Sequence, residues 1–171
     1  MGRDKALLPV PEGVLVERIA RCVLAAAGSV TLVGDPSRYS QLGLPVIPDL
    51  IPGLGPLSGI HAALSHTRAE WNLVVACDMP EVSVAFLTEL LDAASASTAD
   101  AVVPRGPDGP EPVCAVYRRR LLPALTSALG GGVRKAADLL ETVPVTWLPV
   151  AQLSHLRNVN TPEEWAGYGI G

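Results

Sequence analysis

The sequence predicts an α/β fold with a mostly parallel sheet. Short apolar segments rich in β-branched residues alternate with longer segments of helical periodicity, and glycine or proline stands at most of the boundaries between them. The 171 residues suit a single domain, residues 1–171. A hydrophobic fraction of 49% against 18% charged residues is enough to fill the core of such a domain.

Composition and charge exclude several classes of function. A net charge of −4 disfavours broad binding to nucleic acid or to acidic membranes. No apolar run is long enough to span a bilayer, and the charged N-terminus is unlike a signal peptide. Three widely spaced cysteines argue against a disulfide framework, so we expect a cytoplasmic protein. From the charge and the short apolar runs we expect no nucleic-acid or membrane partner.

The first elements are a helix and two short strands. Val14–Ala27 has the apolar spacing of an amphipathic helix, and Gly28 suits its C-terminal cap. Val30–Val33 is typical of a buried strand and is closed by the turn residues Gly34–Pro36. Leu44–Ile47 predicts another short strand.

The middle of the chain continues the alternation. The glycine- and proline-rich loop Asp49–Pro56 leads into a helix at Leu57–His66. Asn72–Cys77 is the most apolar strand and is expected to be buried on both faces of the sheet. A helix at Ser83–Ala96 and a strand at Ala101–Val103 follow.

The last part adds one loop, two strands and two helices. Arg105–Pro112 is predicted to be a loop before a strand at Val113–Tyr117. Helices are predicted at Leu121–Leu129 and Val133–Glu141, and a late strand at Val145–Leu148. Because ligands of α/β sheets bind at the carboxyl ends of strands, polar residues directly after strands are the first candidates for a site.

Asp78 directly follows the most apolar strand. A carboxylate at that edge of the sheet can hold Mg²⁺ against a substrate phosphate. Asp78 is equally suited to cap the next helix or to make a turn, and the sequence leaves both interpretations open.

Two glycine-bearing segments are candidates for ligand binding. The loop from Asp49 to Gly59 runs into a helix, where backbone N–H groups can bind an anion or a base edge, or can simply connect two elements. Gly2, Arg3 and Lys5 can cradle phosphates, although a solvated charged terminus is the simpler interpretation.

A late polar segment is the fourth candidate. Asn158 and Asn160 precede a helix start at Thr161–Glu164, and their side chains suit either ligand binding or capping. Other familiar sites are excluded: His61 and His66 lie five positions apart rather than four, unlike a zinc pair, and no G-x-G-x-x-G, complete Walker motif or G-x-S-x-G elbow occurs.

Four segments in this order resemble the molybdenum cofactor guanylyltransferase family. Met1–Leu8 (MGRDKALL) is similar to the second half of its opening signature, and Asp49 followed by Gly55–Ile60 (GPLSGI) to its D…GPLxG segment. Cys77–Pro80 (CDMP) resembles its magnesium motif, and Asn158–Glu163 (NVNTPE) its late asparagine segment. The resemblance covers nearly the whole chain.

The resemblance implies a Rossmann-like nucleotidyltransferase sandwich with helices flanking the sheet. It implies transfer of GMP from MgGTP to molybdopterin-bound molybdenum, giving the guanine dinucleotide cofactor and pyrophosphate, with Mg²⁺ as cofactor. A protein that delivers molybdopterin is a possible further partner. Alternatives are a transferase that uses CTP or another nucleotide, and a non-catalytic nucleotide-binding protein.

The resemblance also implies roles for individual residues. Lys5 and Asp78 would be catalytic, with Asp78 as the metal ligand, and Asn158 and Asn160 would lie on the pterin side. Independently of the resemblance, Arg134 and Lys135, after three glycines, are candidates for the pterin phosphate or for a solvated helix start. Nucleotide binding is expected of these residues: Gly2, Arg3, Lys5, Asp49, Gly55, Pro56, Leu57, Gly59 and Asp78.

The chain departs from the family pattern at its start. The first strand and the L-A-G-G half of the signature have no counterpart, so the domain is expected to be incomplete at its N-terminus. A strand with its loop corresponds to roughly 15–20 residues. Gly34 and Asp35 also stand where many members carry an asparagine.

Overall fold

The computed structural model describes residues 4–51, 53–150 and 156–159. The sequence predictions for Gly2, Arg3, Asn160 and the helix start at Thr161 lie outside these residues. Within the described chain, the strands are β1 (Pro9–Val10), β2 (Gly13–Val14), β3 (Leu32–Val33), β4 (Val46–Ile47), β5 (Trp71–Val75), β6 (Ala101–Gly106), β7 (Gly109–Pro110), β8 (Cys114–Arg118) and β9 (Val145–Pro149).

Helices separate most of these strands. They are α1 (Leu15–Ala27), α2 (Pro36–Tyr39), α3 (Pro56–His66), α4 (Val84–Ser95), α5 (Leu122–Gly130) and α6 (Ala136–Leu140). The predicted amphipathic helix is confirmed as α1, and Gly28 ends it in the left-handed conformation at φ 75°, which glycine adopts without strain. Ser83 caps α4 by accepting a hydrogen bond from the amide of Phe86 at 3.3 Å.

The α/β class is confirmed, but the main sheet is mixed rather than mostly parallel. Its order is β5–β8–β6–β7, with β9 on the other edge of β6. β8 runs antiparallel to both β5 and β6, whereas β6 and β9 are parallel. The prediction of a loop over Arg105–Pro112 is wrong in part, because β6 continues to Gly106 and pairs with β7 in a hairpin.

Helices pack on both faces of this sheet. Along β6, Ala101 and Val103 belong to a core shared with α3, α5 and α6, whereas Val102 belongs to a second core shared with α1 and α4. This alternation follows from the two-residue period of a strand, which sends successive side chains to opposite faces. The sandwich of helices around a sheet that the sequence predicts is therefore confirmed.

The strand β5 borders a cavity instead of being buried on both faces as predicted. β3 and β4 form a separate parallel pair, and a cavity of about 430 Å³ lies between β3 and β5, with α1 and α3 contributing to its walls. All five residues of β5 are consequently only partly buried. Among the described residues, no helix is long and apolar enough to cross a membrane.

Candidate active site

Lys5 and Asp78 meet at the edge of the sheet where β5 ends. The Lys5 ammonium nitrogen lies 3.5 Å from Oδ2 of Asp78, and the two side chains are 29% and 24% exposed. Lys5 opens a short 3-10 turn, and Asp78 follows β5 directly. Both groups therefore remain accessible to a ligand. The 3-10 turn fixes the backbone position of Lys5, and the end of β5 fixes that of Asp78.

The residues after Asp78 anchor it to the core. Met79 is fully buried, and its carbonyl accepts a hydrogen bond from the amide of Val82 at 3.3 Å. The guanidinium of Arg18 on α1 donates to the carbonyl of Pro80 at 3.0 Å. These contacts hold the turn, so the backbone position from which the Asp78 side chain extends is fixed.

Asp4 ties the turn that carries Lys5 to α2. Its carboxylate accepts hydrogen bonds from the amide of Ala6 at 3.1 Å, the hydroxyl of Tyr39 at 2.7 Å and the guanidinium of Arg38 at 3.2 Å. Burial acts to raise the pKa of Asp4, but these three donors outweigh it, and the net pKa lies below the ordinary value of 3.8. Asp4 is thus an ionised anchor at neutral pH.

The glycine- and proline-rich loop is organised by Asp49. Its two carboxylate oxygens accept hydrogen bonds from the amide of Ile51 at 3.0 Å and from the hydroxyl of the buried Ser58 at 2.7 Å. The Ser58 hydroxyl also lies 2.7 Å from the carbonyl of Gly55. Gly55 adopts φ 70° and ψ −155° at the start of α3, a conformation that requires glycine. The loop is therefore held in one shape.

The segment of residues 156–159 lies against the site. The amide of Val159 donates to the carbonyl of Asp78 at 2.8 Å. The side-chain amide of Asn158 donates to the carboxylate of Glu111 at 3.1 Å. Burial raises the pKa of Glu111, and the hydrogen bond from Asn158 opposes that shift.

Some of these groups line one cavity. Pro56 and Gly59 from the start of α3 line it together with Asp78 and Asn158, and Ala6 and Tyr39 complete that side. This is the cavity between β3 and β5, and the rest of its lining is mostly apolar. A ligand at this end of the cavity would contact Pro56, Gly59, Asp78 and Asn158.

Two potential nucleophiles among the described residues of the site, Cys77 and Tyr39, are not activated. Desolvation and the neighbouring Asp78 and Asp4 carboxylates raise the pKa of the Cys77 thiol to about 11. Burial and the bond to Asp4 raise the pKa of Tyr39 to about 12. Both groups are neutral at pH 7, so charge neutralisation and alignment, rather than covalent attack by the protein, are the chemistry that these residues can perform.

Not every candidate residue presents its side chain to the cavity. The side chain of Leu57 is fully buried in the core with α5 and α6, so only its backbone is available for a ligand. The guanidinium of Arg134 donates to the carbonyls of Leu129 and Val133 at the end of α5. The ring of the buried His61 forms a hydrogen bond with the hydroxyl of Thr126 at 3.1 Å, away from the Lys5–Asp78 pair.

The residues present suit a divalent cation that arrives with a phosphate ligand. Within the described residues, no three His, Cys, Asp or Glu side chains cluster as a dedicated metal cage. Mg²⁺ does not need one, because it keeps several waters and binds one or two carboxylates together with substrate phosphates. Asp78, accessible and beside Lys5, offers that single carboxylate.

Sequence reasoning missed three residues that build the site: Asp4, Tyr39 and Glu111. Asp4 adjoins Lys5 but was not assigned a role, and Tyr39 lies in a helix that the turn signal at Gly34–Pro36 did not reveal. Glu111 stands two residues before the apolar strand predicted at Val113–Tyr117, which is the one sequence signal that could have pointed to it.

Sequence comparisons find relatives of this chain. A family model described as MobA-like NTP transferase domain matches residues 1–146. A probable molybdenum cofactor guanylyltransferase of a Nostoc species is 36% identical over 175 residues, covering 97% of this chain and 83% of the relative. One from Flavobacterium johnsoniae is 31% identical over 166 residues, covering 96% and 87%.

Solved structures show the same fold. Molybdopterin-guanine dinucleotide biosynthesis protein A from Archaeoglobus fulgidus superposes with a TM-score of 0.82 at 28% identity, covering 97% of this chain and 89% of that one. A 2-C-methyl-D-erythritol 4-phosphate cytidylyltransferase from Thermus thermophilus reaches a TM-score of 0.74 at 19% identity, covering 95% and 90%. The second likeness concerns the fold alone.

Proposed function

We propose a pair of substrates for this chain, which belongs to the MobA-like NTP transferase family and is a nucleotidyltransferase. The chain transfers GMP from GTP to the terminal phosphate of the molybdopterin form of the molybdenum cofactor, in the cytoplasm. The products are the guanine dinucleotide form of the cofactor and pyrophosphate. The names of the relatives support the reaction, and the 3.5 Å approach of Lys5 to Asp78 is the observation that carries it.

The reaction places two anions in contact, which is the obstacle that the site must overcome. A terminal phosphate oxygen of the acceptor attacks the α-phosphorus of GTP, and a new phosphoanhydride bond forms. The bond between the α-phosphorus and the α,β-bridging oxygen breaks, and pyrophosphate leaves with the electron pair. Positioning and neutralisation of charge supply most of the catalysis in such transfers.

Lys5 supplies the positive charge. Its ammonium group binds the triphosphate, and the Asp4 anchor keeps the turn that carries it in place. Gly2 and Arg3 are proposed to assist from the adjoining segment. A positive charge beside the phosphates stabilises the negative charge that develops on the leaving pyrophosphate.

Asp78 holds a divalent cation, proposed to be Mg²⁺, together with the phosphates of GTP. When bound, such an ion neutralises phosphate charge and orients the reacting groups. Because the carboxylate is only 24% exposed and its turn is anchored by Met79, Asp78 fixes the place of that charge.

The nucleoside and the acceptor occupy different sides of the site. The family resemblance assigns Asp49 and the backbone of Gly55, Pro56, Leu57 and Gly59 to the guanine and ribose. The hydrogen bonds of Asp49 hold the loop that leads into α3 in one shape. Asn158 and Asn160 are proposed to contact the pterin-bearing acceptor. Pro56, Gly59, Asp78 and Asn158 line one cavity, which supports a meeting of the two substrates near Asp78.

Pyrophosphate release tests the proposal. The chain is incubated with the molybdenum cofactor and with GTP, CTP, ATP or UTP in turn, each with Mg²⁺. We expect release with GTP, no release without the acceptor, and none from the Asp78→Ala variant. Asp108→Ala removes an exposed carboxylate in the β6–β7 hairpin and is the matched control that retains activity.

Each other outcome selects an alternative. Preferential release with CTP would replace GTP by another nucleotide within the same reaction. Saturable nucleotide binding by calorimetry without release from any nucleotide would make the chain a nucleotide-binding protein and overturn the enzymatic proposal.

A further inference from the structure

Glu111 touches the site through one hydrogen bond to Asn158. It stands between β7 and β8, with its backbone amide donating to the carbonyl of Pro104 at 3.0 Å and its carbonyl accepting from the amide of Cys114 at 3.2 Å. Its carboxylate is therefore held on a rigid hairpin of the main sheet. From there it accepts the hydrogen bond of Asn158 Nδ2 at 3.1 Å.

This hydrogen bond determines which way the Asn158 amide faces. The Glu111 carboxylate oxygen accepts this bond from the amino group of Asn158 at 3.1 Å, so the amide oxygen of Asn158 faces away from Glu111. Within the described residues, that oxygen is buried and has no hydrogen-bond partner. A buried acceptor without a partner costs free energy, which a ligand that donates to it would recover.

The unpaired oxygen belongs to a residue that is fixed beside Asp78. The amide of the next residue, Val159, donates to the Asp78 carbonyl at 2.8 Å, and Asn158 lines the same cavity as Asp78. The backbone bond fixes where Asn158 lies, and the bond to Glu111 fixes how its amide is turned. Both bonds are needed to hold the amide oxygen of Asn158 in one position and one orientation.

We propose that Glu111 is a positioning residue, which orients the Asn158 amide so that its oxygen accepts a hydrogen bond from the nucleotidyl acceptor. The proposal rests on the function proposed above, since it assigns Asn158 to the acceptor side. It places Glu111 outside contact with either substrate. Replacing Glu111 therefore weakens the use of the acceptor and leaves the binding of GTP unchanged.

A double-mutant cycle with pyrophosphate release tests this role. For Glu111→Ala we expect kcat/KM for the molybdenum cofactor to fall about tenfold, the cost of losing a hydrogen bond to a charged group, with KM for GTP unchanged. Glu111→Gln keeps an oxygen acceptor of the same length and is expected to stay within about threefold of wild type. Asp108→Ala, in the same hairpin, is the control.

The cycle separates positioning from a general structural role. In an Asn158→Ala background, Glu111→Ala should have no further effect, because it acts only through Asn158. An equal loss in both backgrounds, a rise in KM for GTP, or an unchanged Glu111→Ala variant would overturn the proposal.

A second readout does not need activity. In ¹⁵N NMR spectra, the Asn158 side-chain amide should exchange slowly with water in wild type and Asp108→Ala, and rapidly in Glu111→Ala. Fast exchange in wild type would overturn the positioning role. Absence of pyrophosphate release from wild type together with slow exchange would overturn the proposed function but retain the orientation of Asn158 by Glu111.

Discussion

The Lys5 ammonium and the Asp78 carboxylate lie 3.5 Å apart although the residues are separated by 73 positions in the chain. Both side chains keep about a quarter of their surface exposed, at 29% and 24%. A pair that is accessible to this degree adds less than about 1 kcal/mol to stability. Substituting either residue therefore tests function more than folding.

Replacing Lys5 should weaken the binding of the triphosphate. For Lys5→Ala we expect KM for GTP to rise at least about tenfold, because a charge-assisted contact to phosphate is lost. The free energy of unfolding should change by less than about 1 kcal/mol. Steady-state kinetics and urea denaturation measure the two quantities. Lys5→Arg keeps the charge and should retain more activity, and a Lys5→Ala enzyme with unchanged KM and kcat would remove Lys5 from the site.

Replacing Asp78 should abolish metal-dependent turnover. Asp78→Asn keeps the size of the side chain but loses its charge, so we expect pyrophosphate release to fall by at least about 100-fold. Thermal unfolding should show that the variant remains folded, since the turn is anchored by Met79 and Pro80. Wild-type turnover by Asp78→Asn at saturating Mg²⁺ would contradict the assignment of the metal ligand.

Ser58 should contribute to stability and to the shape of the loop. Ser58→Ala removes the hydroxyl that lies 2.7 Å from both Asp49 and Gly55, and leaves a carboxylate oxygen without its partner. We expect a loss of about 1–3 kcal/mol in the free energy of unfolding, together with weaker GTP binding. Ser127→Ala on the exposed face of α5 is the control and should be neutral within about 0.5 kcal/mol. A neutral Ser58→Ala variant would show that the loop does not depend on this contact.

Asp4 should make stability depend on acid pH. Its native pKa lies below the ordinary 3.8, because hydrogen bonds from Tyr39, Arg38 and Ala6 outweigh the opposing effect of burial. The native state therefore binds this proton less readily than the unfolded state. The contribution of Asp4 is present above the unfolded pKa and is lost as the pH falls through the lower native pKa.

Asp4→Asn isolates that contribution. The variant should be less stable than wild type at pH 7, and the difference should shrink as the pH falls below about 4. Denaturant unfolding at a series of pH values measures it. A difference that stays constant between pH 7 and pH 2 would show that the carboxylate is not the anchor of α2.

The long elements could be predicted from sequence because their local signals are strong. The apolar stripe of α1 and the glycine at its end specify a helix of known length, and α4 has a serine cap in addition. The short strands β3 and β4 are less well defined by sequence, and the structure contains only the last two residues of each predicted strand. The pairing of a strand depends on distant partners, which local composition does not reveal.

The mixed sheet is an example of strand pairing that local composition does not reveal. The apolar run Val113–Tyr117 has the same pattern whether its strand is parallel or antiparallel to a neighbour. The connection of residues 107–113 is too short for the crossover that a parallel neighbour of β6 requires. The direction of β8 was therefore accessible in principle from loop length, but not from the apolar pattern.

The site was predicted chiefly through the family resemblance. Spacing alone left Asp78 as either a ligand or a cap, and nothing local relates it to Lys5. Contacts such as Glu111 with Asn158 depend on the tertiary fold, so the sequence did not reveal them. The functional roles of all the candidate site residues stay predictions.

Calorimetric titration of GTP in the presence of Mg²⁺ is the most direct test of the Lys5–Asp78 site. Wild type should bind GTP saturably, and Asp78→Ala and Lys5→Ala should each bind at least about tenfold more weakly. Equal affinity in all three proteins, or binding by wild type that does not depend on Mg²⁺, would contradict a site built on these two residues.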